Sequence, residues 1–269
     1  PLDLVLGGSY TPPLQDWQEQ QVQLTGQGNL RHLQLDGALN ANLRLPGLEP
    51  LALAADVVTG SLDSRATLHR LEGEYRGAPL KVQGGLAFSH AGDLTLDDIL
   101  AQWGGNRIQL NGQLREQWDV QGSLALAQPD LLAPDARGRL DGKLQVTGPR
   151  ADPRVSVTGT SAELSLPALK LRQLALDASI NPVSLNRLQA TLTAKGLDTN
   201  GQSLRDLDLR LSGDAASHEL TARARLDQQG FDTRIQGSLK PDSFDWSGNV
   251  SRLQVQLDRD WNLRLQQPA

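Results

Sequence analysis

The sequence lacks cysteine and methionine altogether, and its 269 residues include only five Trp, three Phe and two Tyr. Without cysteine, disulfides and thiolate metal ligands are excluded. No apolar run approaches the roughly 18–20 residues of a transmembrane helix, and no signal peptide is recognisable. Because the chain also begins at Pro1 and holds no methionine, we expect a section of a longer protein, with any membrane anchor outside it.

An excess of basic or of acidic residues is also missing from the sequence. The 26 basic and 31 acidic residues are interspersed and give a net charge of −5. A nucleic-acid-binding protein would show a basic stripe or stacking aromatic residues, and neither is present, so we expect no nucleic-acid partner. Apolar residues make up 38% of the chain, mainly Leu and Ala, which is too many for a disordered segment.

The residues that are present alternate with a period of two. The odd positions from 33 to 45 are Leu, Ala and Gly, whereas the even positions between them are mostly Gln, Asp, Asn and Arg. The same alternation occurs in LKVQGGLAF from Leu80, in LRDLDLRLSG from Leu204 and in RLQVQLD from Arg252. Apolar residues at every second position are typical of strands with one buried face. This pattern predicts an all-β chain of roughly twenty strands, even though leucine alone would favour helix.

Two stretches interrupt the alternation. LDDILAQWGG, residues 96–105, could form a short helical turn, and QPDLLAPDARG, residues 128–138, indicates a looped or 3₁₀ connection. We expect a second looped connection near residues 148–154, where TGPRADP is rich in turn residues.

Glycine recurs at a position where a core side chain would be expected. Segments such as LDGAL, LNGQL and LDGKL place a glycine between two apolar residues on the same strand face. Glycine inside a strand marks a bend, a bulge or a close approach. These glycines therefore mark either the crease along which the sheet folds into a U or local bulges, and they are Gly37, Gly84, Gly112, Gly122, Gly142, Gly237 and Gly248.

One apolar and one polar face on each strand fit several architectures. A β-sandwich would bury two apolar faces against each other, but such cores usually hold more aromatic residues. An elongated, mostly antiparallel sheet curled into a trough would also be apolar inside, with a fluid filler such as acyl chains. A transmembrane barrel would need aromatic girdles, which two Tyr cannot provide. The trough is our interpretation, and the sandwich is its alternative.

No catalytic chemistry is recognisable. His32, His69, His90 and His218 are scattered, without a second ligand at metal-binding spacing, so we expect neither metal nor cofactor. Asp206 and Asp208 share a strand face, but it is the polar face. We therefore expect a protein that is not an enzyme.

Residues 138–180, GRLDGKLQVTGPRADPRVSVTGTSAELSLPALKLRQLALDASI, carry a family resemblance. This stretch resembles the recurrent unit of the TamB and AsmA-like family of bridge-like lipid transfer proteins. In that unit a glycine-containing strand leads through a proline to a second strand, followed by an LP link into a Leu-x-Leu pair. The resemblance is specific over about residues 93–212.

The resemblance implies a Gram-negative periplasmic protein tethered to the inner membrane, with a taco-shaped sheet around an apolar groove. It implies phospholipid acyl chains in that groove, a TamA-like outer-membrane barrel as partner through regions outside this chain, and a role in lipid transport or outer-membrane protein assembly. We expect residues 1–269 to form one continuous, monomeric segment from the interior of the groove. Apolar residues in register with the alternation should line it: Leu110, Leu124, Leu144, Val146, Val157, Leu166, Leu171, Leu176, Leu192, Leu209 and Leu211.

A different class of function is also compatible with an all-β chain, namely a secreted solenoid or sandwich adhesin that binds carbohydrate. Such a protein would display Trp or Tyr on its polar face as sugar platforms. Trp118 and Trp246 instead fall in register with apolar neighbours, which favours the groove.

Overall fold

The computed structural model describes residues 2–10, 20–29, 34–43, 51–59, 63–89, 91–199, 202–226, 229–241, 243, 245–257 and 262–267. Most of these residues lie in strands, and they include one short 3₁₀ helix, Pro129–Leu131, and no α-helix. The described part of the chain therefore has no helix of the length and apolarity that a membrane crossing needs. The prediction of an all-β chain is confirmed.

The chain divides into two compact units, residues 1–124 and 125–269. The described residues of the first unit form nine strands, the last of which extends two residues past the unit boundary: β1 (Leu2–Tyr10), β2 (Gln20–Asn29), β3 (Gln34–Leu43), β4 (Leu51–Thr59), β5 (Asp63–Tyr75), β6 (Ala78–Ser89), β7 (Leu94–Trp103), β8 (Asn106–Leu114) and β9 (Gln117–Leu126).

In the described part of the second unit there are nine further strands: β10 (Arg137–Pro149), β11 (Arg154–Leu166), β12 (Leu169–Ile180), β13 (Leu188–Thr199), β14 (Gln202–Gly213), β15 (His218–Leu226), β16 (Gln229–Lys240), β17 (Asp245–Gln256) and β18 (Asn262–Arg264). Strands β1–β8 of the first unit and β10–β18 of the second pair antiparallel with their neighbours in sequence, so the predicted antiparallel arrangement is confirmed. Short hairpins make this topology natural, because antiparallel neighbours need only a few connecting residues.

Residues 96–105 are not helical, so the expected helical turn is wrong there. Strand β7 runs through them and carries one extra residue relative to both neighbours, since its pairing with β6 and with β8 shifts register at this point. Asp98 adopts a φ of +44°, and the Asn111 side-chain amide donates a hydrogen bond of 2.8 Å to its carboxylate. The bulge shifts the alternation by one residue. Leu96 and Ile99 therefore lie on the same sheet face, opposite Gly112 and Leu110 of β8.

The two connections noted in the sequence flank β10. Residues 128–136 hold the 3₁₀ helix before β10 begins at Arg137, and β10 ends at Pro149. In the turn that follows, the backbone N–H of Asp152 donates to the carbonyl of Pro149 at 3.1 Å. That residues 1–269 form one continuous segment stays a prediction.

Candidate functional site: the apolar sheet face of the second unit

Strand register in the second unit aligns apolar residues across eight neighbouring strands. In this register each residue lies opposite a partner on the next strand, and directly opposed side chains share a sheet face. The central cross-strand row, which we call the first row, consists of Leu144, Val157, Ala178, Ala190, Leu211, Leu220, Ile235 and Val250. Every position of the first row is apolar, and we call the surface that it defines the apolar face.

Two further rows lie on either side of the first row, two residues away along each strand. The second row runs through Gly142, Gly159, Leu176, Leu192, Leu209 and Ala222. The third row runs through Val146, Val155, Ile180, Leu188, Gly213, His218, Gly237 and Gly248. The apolar face is therefore wide in both directions, and its third row changes from branched residues to glycines as it crosses the sheet.

Burial distinguishes this face from the centre of a sandwich. Only five Leu, Val, Ile and Ala residues of the described part of the second unit are buried, namely Leu126, Ala136, Leu171, Ala194 and Ala215. The Leu, Val and Ile side chains of the first row are all only partly buried. A packed two-sheet core would remove most of such side chains from solvent. Half-burial across a whole row is what a sheet face without a second layer over it produces.

The opposite face carries the charged side chains, and many of them pair with each other. Asp232 accepts from Arg223 at 3.1 Å and from Arg252 at 3.3 Å, so that one carboxylate bridges β15 and β17 across β16. Arg234 Nε lies 3.3 Å from Glu219. These partly exposed pairs contribute little stability each, but they keep the charge of this polar face close to neutral.

An arginine also engages the carboxylate at the start of β10. Arg139 donates two hydrogen bonds to Asp141, at 2.7 and 3.0 Å, and this contact lowers the pKa of the Asp141 carboxyl. Asp208, one of the two carboxylates noted in the sequence, is paired in the same way with Arg210 at 3.0 Å. These two carboxylates are thus engaged in solvent-exposed ion pairs. Within the described residues, no group of three or more His, Asp or Glu side chains could hold a metal ion.

The predicted lining residues divide between the two units. Leu110 lies in β8 and Leu124 in β9, both partly buried. The other nine lie in the second unit, where Leu144, Val157 and Leu211 share the first row, and Leu176, Leu192 and Leu209 share the second. Val146 belongs to the third row, whereas Leu171 pairs with Leu164, and Leu166 with Leu169, near the β11–β12 hairpin. Their role in lining a groove stays a prediction.

Several residues of the apolar face were missed by sequence reasoning. Val155, Ile180, Leu188, Leu220, Ile235 and Val250 occupy the same rows as the predicted residues. Their positions follow the same period-two alternation, so the signal was present in the sequence. What the sequence does not contain is the register, which decides which alternating residues of neighbouring strands meet.

The glycines noted in the sequence have two different surroundings. Gly84 and Gly112 have φ values of +141° and +140°, and a Cβ on either would collide with backbone atoms of the next strand. Gly37 lies in β3 and pairs with Gly26 of β2 and with Val57 of β4. Gly122 lies in β9 and Gly142 in β10. Gly237 and Gly248 instead lie beneath the indole of Trp246. That these glycines bend the sheet into a U stays a prediction.

These features define a class: an all-β protein of antiparallel sheets with one broad apolar face and one charged face. Residues 51–269 match the family model described as TamB, N-terminal domain. The chain belongs to the TamB family, as its sequence resemblance predicted.

A curated relative shows the same affiliation. The chain is 26% identical over 189 residues to the translocation and assembly module subunit TamB of Haemophilus influenzae. The aligned region is 69% of this chain but 14% of the length of that relative. No solved structure matches the chain.

Proposed function

We propose that the apolar face is part of the lining of a periplasmic hydrophobic groove that carries phospholipid acyl chains between the inner and outer membranes, supports outer-membrane protein assembly, or does both. The observation that carries this proposal is the half-burial of the first row across β10–β17. Apolar side chains left partly exposed over so many neighbouring strands need an apolar partner, because large exposed apolar patches are unfavourable in water.

Acyl chains fit this face better than a folded protein partner does. The first row presents aliphatic side chains of similar size, without the aromatic and arginine anchors that concentrate binding energy at protein interfaces. A surface of this kind offers contact area without directional recognition, which suits a ligand that slides. In the full-length protein we propose a tether to the inner membrane, a sheet that curls around its apolar face and a TamA-like barrel as partner. This function requires no catalysis.

Lipid extraction from the purified 269-residue chain, combined with native mass spectrometry, tests the proposal. We expect phospholipid to co-purify with the chain. A matched pair of variants locates it: Leu211→Glu changes the first row, whereas Thr221→Glu changes the neighbouring strand on the polar face. Leu211→Glu should reduce the bound lipid and Thr221→Glu should not. Lipid-free protein that binds glycans would contradict the proposal and support the adhesin alternative.

A further inference from the structure

The third row of the apolar face ends in a strip in which most positions are glycine. Gly213, His218, Gly237 and Gly248 lie opposite one another on β14, β15, β16 and β17. Three of these four positions have no Cβ, so the backbone of the sheet forms a shallow trench there, which we call the glycine trench. At the other end of the same row, on the same face, the positions are filled by branched residues such as Ile180.

The indole of Trp246 occupies the glycine trench. A Cβ added to Gly237 or to Gly248 would lie 2.5 Å from Cζ2 of the indole, so the ring rests directly on the backbone at both positions. Trp246 is nevertheless 52% exposed. One side of the ring therefore covers the trench while much of the rest remains accessible from the apolar face.

A hydrogen bond to His218 fixes the N–H edge of the indole. Trp246 Nε1 donates to Nε2 of His218 at 2.8 Å, and Nδ1 of His218 lies 3.0 Å from the backbone carbonyl of Asp214. An indole N–H is only a donor and a carbonyl is only an acceptor. His218 must therefore accept at Nε2 and donate at Nδ1, an arrangement that only the neutral imidazole can make.

We infer that the Trp246 side chain is a movable cover over the glycine trench. Its hydrogen bond to neutral His218 keeps it in place, and protonation of His218 releases it. Imidazolium carries a proton on both nitrogens and has no acceptor. The Nε2–H would then face the indole N–H, and the hydrogen bond that holds the ring would be replaced by repulsion between two donors. The indole would swing away and leave the backbone of Gly237 and Gly248 uncovered.

Two carboxylates lie next to His218 along the chain, and both already have hydrogen-bond or ion-pair partners. Asp214 accepts from the backbone N–H of Ser217 at 2.8 Å, and Glu219, the next residue of β15, is engaged by Arg234. On the neighbouring strands the nearest charged residues lie one position away from the apolar rows and so face the other side: Arg210 on β14, Lys240 on β16 and Asp245 on β17. His218 is thus the ionisable side chain of the apolar face at this end of the described sheet.

Indole signals in a ¹H–¹⁵N spectrum of the whole chain test the inference without any lipid, so its outcome is independent of the proposed function. Trp246→Phe identifies the Trp246 signal. In a titration of the wild-type chain from about pH 8 to pH 5, we expect that signal to shift together with the His218 ring signals and with the same midpoint. A Trp246 signal that stays constant while His218 titrates would overturn the inference.

A matched variant separates protonation of His218 from other effects of acid. His218→Gln places an amide oxygen within reach of the indole N–H and cannot be protonated in this range. We expect the Trp246 signal of this variant to remain in its neutral-pH position throughout. A shift of the same size and midpoint in His218→Gln would also overturn the inference, because another group would then control the ring.

Discussion

An arginine placed at two different leucines of the second unit should have very different consequences. Leu144 lies partly exposed in the first row, whereas Leu171 is 6% exposed and pairs with Leu164 near the β11–β12 hairpin. If the apolar face is open, an arginine at position 144 can lay its aliphatic stem along the sheet and keep its guanidinium in water. At position 171 the same charge replaces a side chain that is buried.

The expected magnitudes follow from these burials. Full burial of a leucine contributes about 1.5–3 kcal/mol, so losing a half-buried leucine should cost Leu144→Arg about 1 kcal/mol. For a unit of this size that corresponds to a fall in Tm of about 2–4 °C. Leu171→Arg loses a buried leucine and leaves an unpaired charge, which costs about 3–5 kcal/mol more. The total approaches the stability of a whole domain, about 5–15 kcal/mol, so little folded protein should remain.

Thermal melts of both variants, followed by circular dichroism, provide the measurement. Lys143→Arg serves as a control, since it keeps a cation on the polar face next to Leu144, and its melt should match the wild type. If Leu144→Arg unfolds as completely as Leu171→Arg, the first row lies in a dry core. The reasoning from half-burial would then be refuted, and a sandwich would be the better description.

Two further predictions concern the backbone. Gly112→Ala should lower the free energy of unfolding by roughly 3 kcal/mol, because its positive φ disfavours a side chain and the new Cβ would overlap the carbonyl of Asp119. Gly77 is also at positive φ but has nothing within 4 Å of an added Cβ, so Gly77→Ala should cost about 1–2 kcal/mol. Denaturant titrations measure both losses. Equal losses in the two variants would contradict the close-approach argument. Asp152→Ala removes the acceptor of the Ser184 backbone N–H and hydroxyl, at 3.1 and 2.8 Å, and should cost about 1–2 kcal/mol and speed amide exchange in that loop. Unchanged exchange would show that the loop does not depend on these bonds.

The alternation of apolar and polar residues was sufficient to predict the strands and the antiparallel class. It misled at β7, and the physical reason is specific. Leu96, Ile99 and Leu100 have the i, i+3, i+4 spacing of a helix, but this spacing arises because the bulge at Asp98 adds one residue between two runs of alternation. A bulge and a helical turn leave similar patterns over so few residues.

The surroundings of the glycines could be predicted only in part. A bend, bulge or close approach was expected from glycine on an apolar strand face, and Gly84 and Gly112 lie where backbone approaches closely. The cover over Gly237 and Gly248 could not be foreseen, because it depends on register across three strands. Only that register brings Trp246 within reach of His218, 28 positions earlier in the chain.

The central claim is that acyl chains contact one face of this sheet and not the other. Photocrosslinking from benzoylphenylalanine at adjacent positions tests it most directly, with the probe at Leu211 on the apolar face or at Arg210 on the polar face. The 269-residue chain would be incubated with phosphatidylethanolamine–phosphatidylglycerol vesicles and irradiated, and lipid adducts would be measured by mass spectrometry. We predict adducts at position 211 and few or none at position 210. Equal labelling at the two positions, or none at 211 in folded protein, would contradict the account.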